Sequence, residues 1–408
     1  LSCMSQETLW NSAIGCHWLP LVAKGLRFFL IDKNNPPVLR NLYFIYNKFM
    51  LTIMWIFITT IFADLCLGDN DLTTTTEDAC NFAGTFVIVF KAINYQRRRE
   101  KIAWLINRTI KCGNELCSTA SDLRIQRYLF IAGNIESLIR KYELRNIVSF
   151  YGFNILGFCL VVALMFFAPV QNDSLPIKAK YPFDTKVLPW HQIAFTVEIF
   201  AVGGGIAGIV GMDCVMIMEC NMITLQLDIL YKCFENCKSP MAAPQNVRSS
   251  FPANKYVDMC TTKFPKYRCL EFQQRLMLLV NDFNEIFSSS MFAQILSSTS
   301  MICMASFQVV VVGGDSSSIL KFGIFLSAAV TQLLYVCWVG NELTYSSSVL
   351  SKSLWLSDWN YEPFSKISQL LILSTMFLKQ PLKISAMYYT MSFQTFIAVS
   401  KDLLITCL

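Results

Sequence analysis

The sequence predicts an all-α, polytopic membrane protein with seven transmembrane helices. The chain is 54% hydrophobic, its mean hydropathy is +0.44, and only 15% of its 408 residues are charged. A soluble protein of this length carries more charge on its surface. The apolar residues are also concentrated in stretches close to the length of about 20 residues that a helix needs to cross a bilayer.

Seven apolar stretches define the predicted helices, and they are, in chain order, 46–66, 80–97, 146–170, 189–218, 286–312, 318–340 and 384–407. The second stretch is the least apolar, because Lys91 interrupts it. The seventh keeps polar side chains from Ser385 to Asp402, and each of them costs free energy in hydrocarbon unless it meets a partner or water. We therefore expect the last helix to face an aqueous surface.

The distribution of Lys and Arg predicts how the helices are oriented. Twenty-six of these residues lie in the amino-terminal segment and in the loops on its side of the membrane, and three lie in the loops of the other side. Basic loops stay in the cytoplasm, which predicts a cytoplasmic amino terminus and an extracellular carboxyl terminus, the reverse of a G-protein-coupled receptor. This bias also accounts for the net charge of +6, so we expect no nucleic-acid partner.

Two glycosylation sequons test this orientation. Asn172 lies in the predicted outer loop, whereas Asn107 lies in an inner loop that the glycosylation machinery does not reach. Asn172 is therefore the glycosylation candidate, and a sugar on Asn107 would contradict the orientation.

The sequence lacks the motifs of catalytic and metal-binding proteins. The two histidines, His17 and His191, belong to no zinc-binding spacing, and there is no nucleophile elbow, zincin motif or phosphate loop. We therefore predict no enzymatic activity, no cofactor and no metal site. Most of the sixteen cysteines lie in apolar runs or basic loops, where free thiols are usual, and only Cys66 and Cys80 are candidates for a disulfide.

Helical periodicity continues beyond the apolar stretches into the inner loops. Apolar residues recur at helical spacing in 121–145 and 270–287, which predicts helices that project into the cytoplasm. An amphipathic helix over 360–380 is predicted to make subunit contacts, with docking to the lipid surface as the alternative. The expected domains are a cytoplasmic segment at 1–45, helices one to six at 46–340, cytoplasmic anchor helices at 341–381 and a seventh helix at 382–408.

The fourth stretch combines glycines with acidic residues. Its glycines include the spacing Gly204-x-x-x-Gly208, which favours close helix packing, with a kink beside a cavity as the alternative. Glu198 and Asp213 lie in the same stretch, and ionisable groups within a membrane mark functional sites by default. For Asp213, binding to neighbouring donors near the inner boundary is the plainer interpretation.

Aromatic and polar side chains are mixed in the outer halves of stretches two, three, four and six. Such a mixture lines pockets for small apolar ligands, because burial gives affinity and a few polar groups give orientation, although it also lines ordinary helix interfaces. The predicted ligand-binding residues are Phe86, Phe90, Tyr151, Asn154, Phe158, Glu198, Phe325 and Gln332.

The carboxyl-terminal part of the chain resembles the signature of insect odorant receptors. The residues that carry the resemblance are the run from Cys337 to Ser346, Trp355, Trp359, Gln380-Pro381-Leu382 and Ser392-x-x-Thr395-Phe396. The resemblance implies a ligand-gated, non-selective cation channel, assembled as a heterotetramer with a co-receptor subunit in the plasma membrane of sensory dendrites. In that family the last helix lines the pore, inner helices form an anchor domain, and a small volatile odorant binds in the outer half of the subunit.

Within that family the chain is similar to a tuning subunit, which binds the odorant, because the second inner loop is short and the carboxyl terminus departs from the co-receptor pattern. The chain also has Leu403-Leu404-Ile405 where tuning subunits commonly have Ser-Tyr-Ser. Gustatory receptors share the fold and are the alternative, but Tyr388-Tyr389-Thr390 and Gln394 do not reproduce their motif. A membrane transporter fits less well, because the sequence shows no inverted repeats.

Positions on the last helix recur at steps of four and three residues and form one stripe. Our hypothesis is that this stripe faces the pore, with polar members toward the inside and an apolar constriction of two leucines near the outside, where ions are blocked by dewetting. A packing seam is the alternative. The members of the stripe are Thr390, Gln394, Ile397, Lys401, Leu404 and Leu408.

Overall fold

A computed structural model of the chain gives its helices and a short hairpin. It describes residues 37–68, 71–125, 130–166, 190–236, 265–311, 316–356 and 381–407, with Ile372 and positions 175, 177, 179–183, 185 and 187. Over these residues the elements are α1 (Pro37–Leu67), α2 (Leu72–Ile125), α3 (Phe130–Phe166), α4 (Trp190–Asn236), α5 (Pro265–Val311), α6 (Ser316–Leu356), β1 (Ser385–Ala386), β2 (Tyr389–Thr390) and α7 (Phe393–Cys407). The predicted all-α fold of seven helices is confirmed.

Five of the helices contain a stretch long and apolar enough to cross a membrane, namely α1, α3, α4, α5 and α6. Among the described residues, α2 and α7 do not reach that criterion. α2 carries Lys91 and a run of arginines, and the 15 residues of α7 rise roughly 22 Å, which is less than a hydrocarbon core of about 30 Å. Membrane crossing by these two helices, and the side on which each terminus lies, stay predictions.

Most helices continue past the predicted apolar stretches at the same end of the bundle. α2 runs to Ile125 and α4 to Asn236, while α3 begins at Phe130 and α5 at Pro265. The helical periodicity of the two inner loops is therefore confirmed. The predicted helix over 360–380 lies outside the described residues apart from Ile372, and so does Asn172.

α4 lies at the centre of the bundle, where it packs against α1, α2, α3, α5 and α6. Two of its glycines, Gly204 and Gly205, lie at the seam with α1. A Cβ atom added to Gly204 would overlap the Cε atom of Met50, and one added to Gly205 would lie 3.1 Å from the Cε atom of Met54. Close packing at these glycines is therefore confirmed, because the methionine side chains of α1 occupy the space that larger residues would need.

Arg145 joins α3 to α4 and α6. Its Nη2 atom donates to Oδ1 of Asn221 at 2.5 Å, and its guanidinium lies 4.8 Å from the centre of the Trp338 ring. Its Nη1 atom also lies 3.4 Å from the carboxylate of Glu342. These contacts link α3 to α4 and to α6.

Residues 381–392 form a hairpin, so the prediction of a helix from 382 onward is wrong for this segment. β1 pairs antiparallel with β2, Met387 in the turn has a φ of 53°, and α7 begins only at Phe393. A φ in this range is left-handed and interrupts a right-handed helix.

Side chains of α5 and α6 account for the hairpin, because they bind the backbone groups that a helix would pair internally. The Oδ1 atom of Asn284 accepts from the N–H of Ser385 at 3.0 Å, and Oγ of Ser288 accepts from the N–H of Met387 at 2.6 Å. On the α6 side, Oγ of Ser347 accepts from the N–H of Leu382 at 2.8 Å.

Cys66 and Cys80 are free thiols, so the disulfide that the sequence left open is not formed. In the inner part of α2, the thiol of Cys112 is buried and that of Cys117 is half-buried. Burial raises the pKa of Cys112 to about 11 and the pKa of Cys117 to about 12, so both thiols keep their protons at neutral pH.

Candidate functional site

Helices α1 to α6 and one loop residue surround a cavity of about 120 Å³. Its wall is mainly apolar, with Phe57 from α1, Val202 from α4 and Phe325 from α6. Gly84 of α2 leaves room in the wall, because an added Cβ atom would meet only the side chain of Met301, at 3.6 Å. A concave apolar wall of this kind binds small apolar molecules by burying their surface.

A buried ion pair lies at one end of this cavity, which we call the polar end. Nζ of Lys91 lies 2.5 Å from Oδ1 of Asp213, and both residues are 1% exposed. Gln332 donates from Nε2 to the other carboxylate oxygen, and both Asp213 and Gln332 line the cavity. Because an unpaired buried charge is costly, the pair fastens α2 to α4, and Gln332 extends the connection to α6.

Residues of the loop between α3 and α4 cover the opposite end of the cavity. Ile177 lines the cavity and donates its backbone N–H to Oε2 of Glu198 at 3.2 Å. The N–H of Lys180 donates to the carbonyl of Thr60 at 3.3 Å, and the hydroxyl of Tyr181 lies 3.5 Å from Oε1 of Glu198. Burial and the nearby charge of Glu198 raise the pKa of Tyr181, so its hydroxyl keeps the proton that it donates.

The structure brings together only some of the predicted ligand-binding residues. Phe325 and Gln332 line the cavity, and Glu198 holds the loop that covers it. The remaining five have exposed side chains and do not line the cavity, and they are Phe86, Phe90, Tyr151, Asn154 and Phe158.

Residues adjacent to those five line the cavity instead, among them Thr85, Val87, Phe153 and Gly157. The cavity therefore borders the predicted segments of α2 and α3, but on a different face of each helix, and ligand binding by the eight predicted residues stays a prediction. Lipid tails are as apolar as a protein interior, so periodicity does not separate a lipid-facing side from a cavity-facing side.

Four members of the predicted pore stripe lie on α7, and the structure describes the side chains of three of them. Gln394, Ile397 and Lys401 are exposed at helical spacing, so they occupy a face of α7 that its own chain leaves open. Thr390 belongs to β2, and its assignment to the last helix is wrong. Leu408 and the side chain of Leu404 lie outside the described residues, so their role stays a prediction.

Gly340 of α6 makes a close contact with the backbone that leads into α7. A Cβ atom added to Gly340 would lie 2.6 Å from the carbonyl oxygen of Met391 and 2.7 Å from its Cβ atom. Met391 also donates its N–H to the carbonyl of Ile384 at 2.9 Å, which fixes it to the base of the hairpin. Gln332 precedes Gly340 by eight residues, or roughly 12 Å along the helix axis.

The pairing of Lys91 with Asp213 and the contact of Gly340 with Met391 were not predicted from the sequence. The sequence does contain a signal for the Lys91–Asp213 pair, because opposite charges in two apolar helices are expected to pair. No sequence pattern indicates the contact between Gly340 and Met391, since only the fold brings these two residues together.

The profile of the 7tm odorant receptor family matches residues 71–402. The chain belongs to the odorant receptor family. Odorant receptor 13a of Drosophila melanogaster is 22% identical to this receptor over 416 residues, covering 95% of this chain and 91% of that receptor. Odorant receptor 85c of the same species is 23% identical over 58% of this chain, and the match spans just over half, 56%, of that relative. Odorant receptor Or1 of Anopheles gambiae is 29% identical over 33% of this chain and 32% of its own length.

Solved structures show the same fold. The insect olfactory receptor OR5 from Machilis hrabei superimposes on this odorant receptor with a TM-score of 0.76 at 13% identity, over 96% of both chains. The complex of that receptor with eugenol gives a TM-score of 0.74 at 13% identity, over 95% of this chain and 96% of that one. The family resemblance and the multi-pass membrane architecture are thus confirmed, and the family is one of receptors, not of enzymes.

Proposed function

We propose that this odorant receptor is the ligand-binding subunit of a heteromeric, ligand-gated, non-selective cation channel, and that a small volatile odorant binds in the cavity. The observation that supports this most is the position of two contacts on α6. Gln332 lies at the polar end of the cavity, and Gly340 contacts Met391 ahead of α7. One continuous helix therefore joins the candidate ligand site to the helix that we assign to the pore.

The volume of the cavity limits the size of the ligand. Its value of about 120 Å³ is close to that of an engineered apolar cavity of roughly 150 Å³ that holds benzene. The ligand is therefore a single small ring or a short chain. It is also uncharged, because Asp213 is the one charged residue among the described lining residues and Lys91 neutralises it.

In this proposal the ligand acts through α6. A ligand that binds one arrangement of the polar end more tightly shifts the receptor toward that arrangement. A displacement of α6 passes directly to Met391, because no side chain separates it from Gly340. Since Asn284 and Ser288 hold the other side of the hairpin to α5, movement of α6 relative to α5 changes the direction in which α7 begins.

The channel itself forms by assembly with the co-receptor subunit into a heterotetramer in the plasma membrane of sensory dendrites. The open face of α7, with Gln394, Ile397 and Lys401, suits a helix that meets other subunits around a pore. The charge of Lys401 is diluted by the co-receptor subunits. We assign the inner ends of α2 to α5 to an anchor domain on the cytoplasmic side. The subunit contacts predicted for 360–380 lie outside the described residues and stay a prediction.

Leu404→Ala and Leu408→Ala are expected to raise the current that flows without odorant, because smaller side chains weaken an apolar constriction that excludes water. The measurement is whole-cell current from the chain co-expressed with the co-receptor. Leu403→Ala, next to the stripe but not on it, is the matched control. If both changes left resting current, block and selectivity as they are, the pore assignment would be wrong.

Gly84→Leu is expected to reduce odorant potency roughly tenfold or more, because the new side chain grows into the cavity where only Met301 stands near. The measurement is the odorant-evoked current over a panel of small volatiles, recorded for the chain alone and with the co-receptor. Gly152→Leu is the matched control, since Gly152 is exposed on α3 and an added Cβ atom meets nothing within 4 Å. Equal losses for the two variants would argue against the cavity as the odorant site.

A further inference from the structure

We infer that Gln294 recognises the polar group of the odorant, and that the preferred odorants carry a hydrogen-bond donor, as alcohols and phenols do. Ketones, ethers and hydrocarbons of the same carbon skeleton bind less tightly. This inference rests on the proposed function, because it takes the cavity as the odorant site.

The amide of Gln294 is buried on the cavity wall with one oxygen left unpaired. Gln294 lies on α5, lines the cavity and is 2% exposed. Its Nε2 atom donates to Oγ of Ser298 at 2.9 Å, whereas Oε1 has no hydrogen-bond partner among the residues that the structure describes. A buried amide oxygen without a donor loses the hydrogen bonds that it makes in water. A ligand that brings a donor restores one of them.

Gln294 lies at the polar end of the cavity. On one side of it along α5, Oγ of Ser290 accepts from Asn94 at 2.6 Å, and on the other side Oγ of Ser297 donates to the carbonyl of Ala83 at 2.9 Å. Gln294 therefore lies at the depth of residues 83–94 of α2, the part of that helix that contains Lys91.

The order of the lining residues along α4, α5 and α6 also places Gln294 at the polar end of the cavity. α4 and α6 run antiparallel to α5, so the last cavity residue of each of them lies near the first cavity residue of α5. Those residues are Asp213 on α4, Gln332 on α6 and Gln294 on α5. The unpaired oxygen and the carboxylate of the ion pair thus share one end of the cavity.

At this end the buried lining atom that lacks a partner among the described residues is an acceptor, Oε1 of Gln294, and each glutamine amide nitrogen already makes one hydrogen bond. The amide nitrogens of Gln332 and Gln294 both donate within the protein, and Lys91 donates to Asp213 without lining the cavity. Oε1 of Gln294 and the further lone pairs of Asp213 remain to accept. Rotation about the terminal torsion of a glutamine has a broad energy profile, so Oε1 can turn to a ligand hydroxyl.

The test is a comparison of dissociation constants for cyclohexanol, cyclohexanone and methylcyclohexane. They are measured by calorimetry on the purified full chain in lipid nanodiscs. Cyclohexanol is expected to bind about tenfold more tightly than cyclohexanone, because a site with a buried acceptor rejects the analogue that lacks the donor. Gln294→Leu is expected to bring that ratio close to one, chiefly by weakening the alcohol.

Gln273→Leu is the matched control. Gln273 is also buried on α5 and its Oε1 atom also lacks a partner among the described residues, but it does not line the cavity. The ratio is expected to stay near ten in this variant. If Gln294→Leu does not fold, Gln294→Met, which keeps the length and flexibility of the side chain, gives the same comparison.

The outcomes separate this inference from the proposed function. Equal affinities for alcohol and ketone, or tighter binding of the ketone, would overturn the role of Gln294 even where Gly84→Leu weakens both ligands. Binding that Gly84→Leu leaves unchanged, or no binding of any of the three compounds, would overturn the cavity as the odorant site as well.

Discussion

Lys91→Met is expected to lower the amount of this odorant receptor at the cell surface about tenfold or more. The change leaves the Asp213 carboxylate buried with the amide of Gln332 as its described donor. Breaking a buried pair by removing one partner costs about 3–5 kcal/mol, which is a large share of a typical stability of about 5–15 kcal/mol. Surface labelling and gel filtration of the solubilised receptor measure the effect.

The double variant Lys91→Met with Asp213→Leu is expected to recover most of the surface receptor, because apolar replacements for a buried pair are often neutral or stabilising. Lys101→Met is the matched control, since it breaks an ion pair with Glu285 whose side chains are 62% and 66% exposed. Such an exposed pair contributes little to stability, because water and salt screen its charges. If the double variant were expressed as poorly as Lys91→Met alone, the unpaired buried charge of Asp213 would not be the cause of the loss.

Gly340→Ala is expected to reduce odorant-evoked current about tenfold or more while odorant affinity in the cavity stays the same. The added methyl group would stand 2.6 Å from the carbonyl oxygen of Met391, and a backbone atom cannot rotate away as a flexible side chain can. The hairpin must therefore move off α6, which removes the contact proposed to pass movement to α7. Current from cells and ligand affinity from purified receptor are measured for the same variant.

Gly323→Ala serves as the control for that change, because it adds the same methyl group to the same helix at a position where nothing lies within 4 Å. Current and affinity are both expected to stay at the level of the unmodified receptor. Parallel losses of affinity and current in Gly340→Ala would mean that the contact supports folding and not transmission.

The helices could be predicted from the sequence because a bilayer imposes a length and a composition on each crossing. The bilayer also explains why the cavity-facing residues of the candidate site could not be predicted. Phe86 and Phe158 face outward and their neighbours Thr85 and Gly157 face the cavity, but hydrocarbon and a protein interior favour the same side chains. The facing of Lys91 and Asp213 is easier to predict than that of the apolar residues, because a charged side chain is too costly to place against lipid.

The hairpin escaped prediction for another reason. Most of its segment falls within the last apolar stretch of the sequence, and its backbone is bound by Asn284 and Ser288, about a hundred residues earlier in the chain. Contacts of such sequence separation leave no trace in local periodicity. The local sequence therefore carries no signal for the place where α7 begins.

The contact between Gly340 and Met391 also bears on how a receptor of this design can diversify. The cavity end of α6 presents side chains such as Phe325 and Ala328, which substitution can enlarge, shrink or polarise. In the proposed mechanism the other end acts through the contact of Gly340 with the main chain of Met391, and main-chain atoms stay the same whatever the cavity residues become. If odorants bind in the cavity as proposed, single replacements near Phe325 and Ala328 change odorant preference and leave the contact between Gly340 and Met391 unaltered.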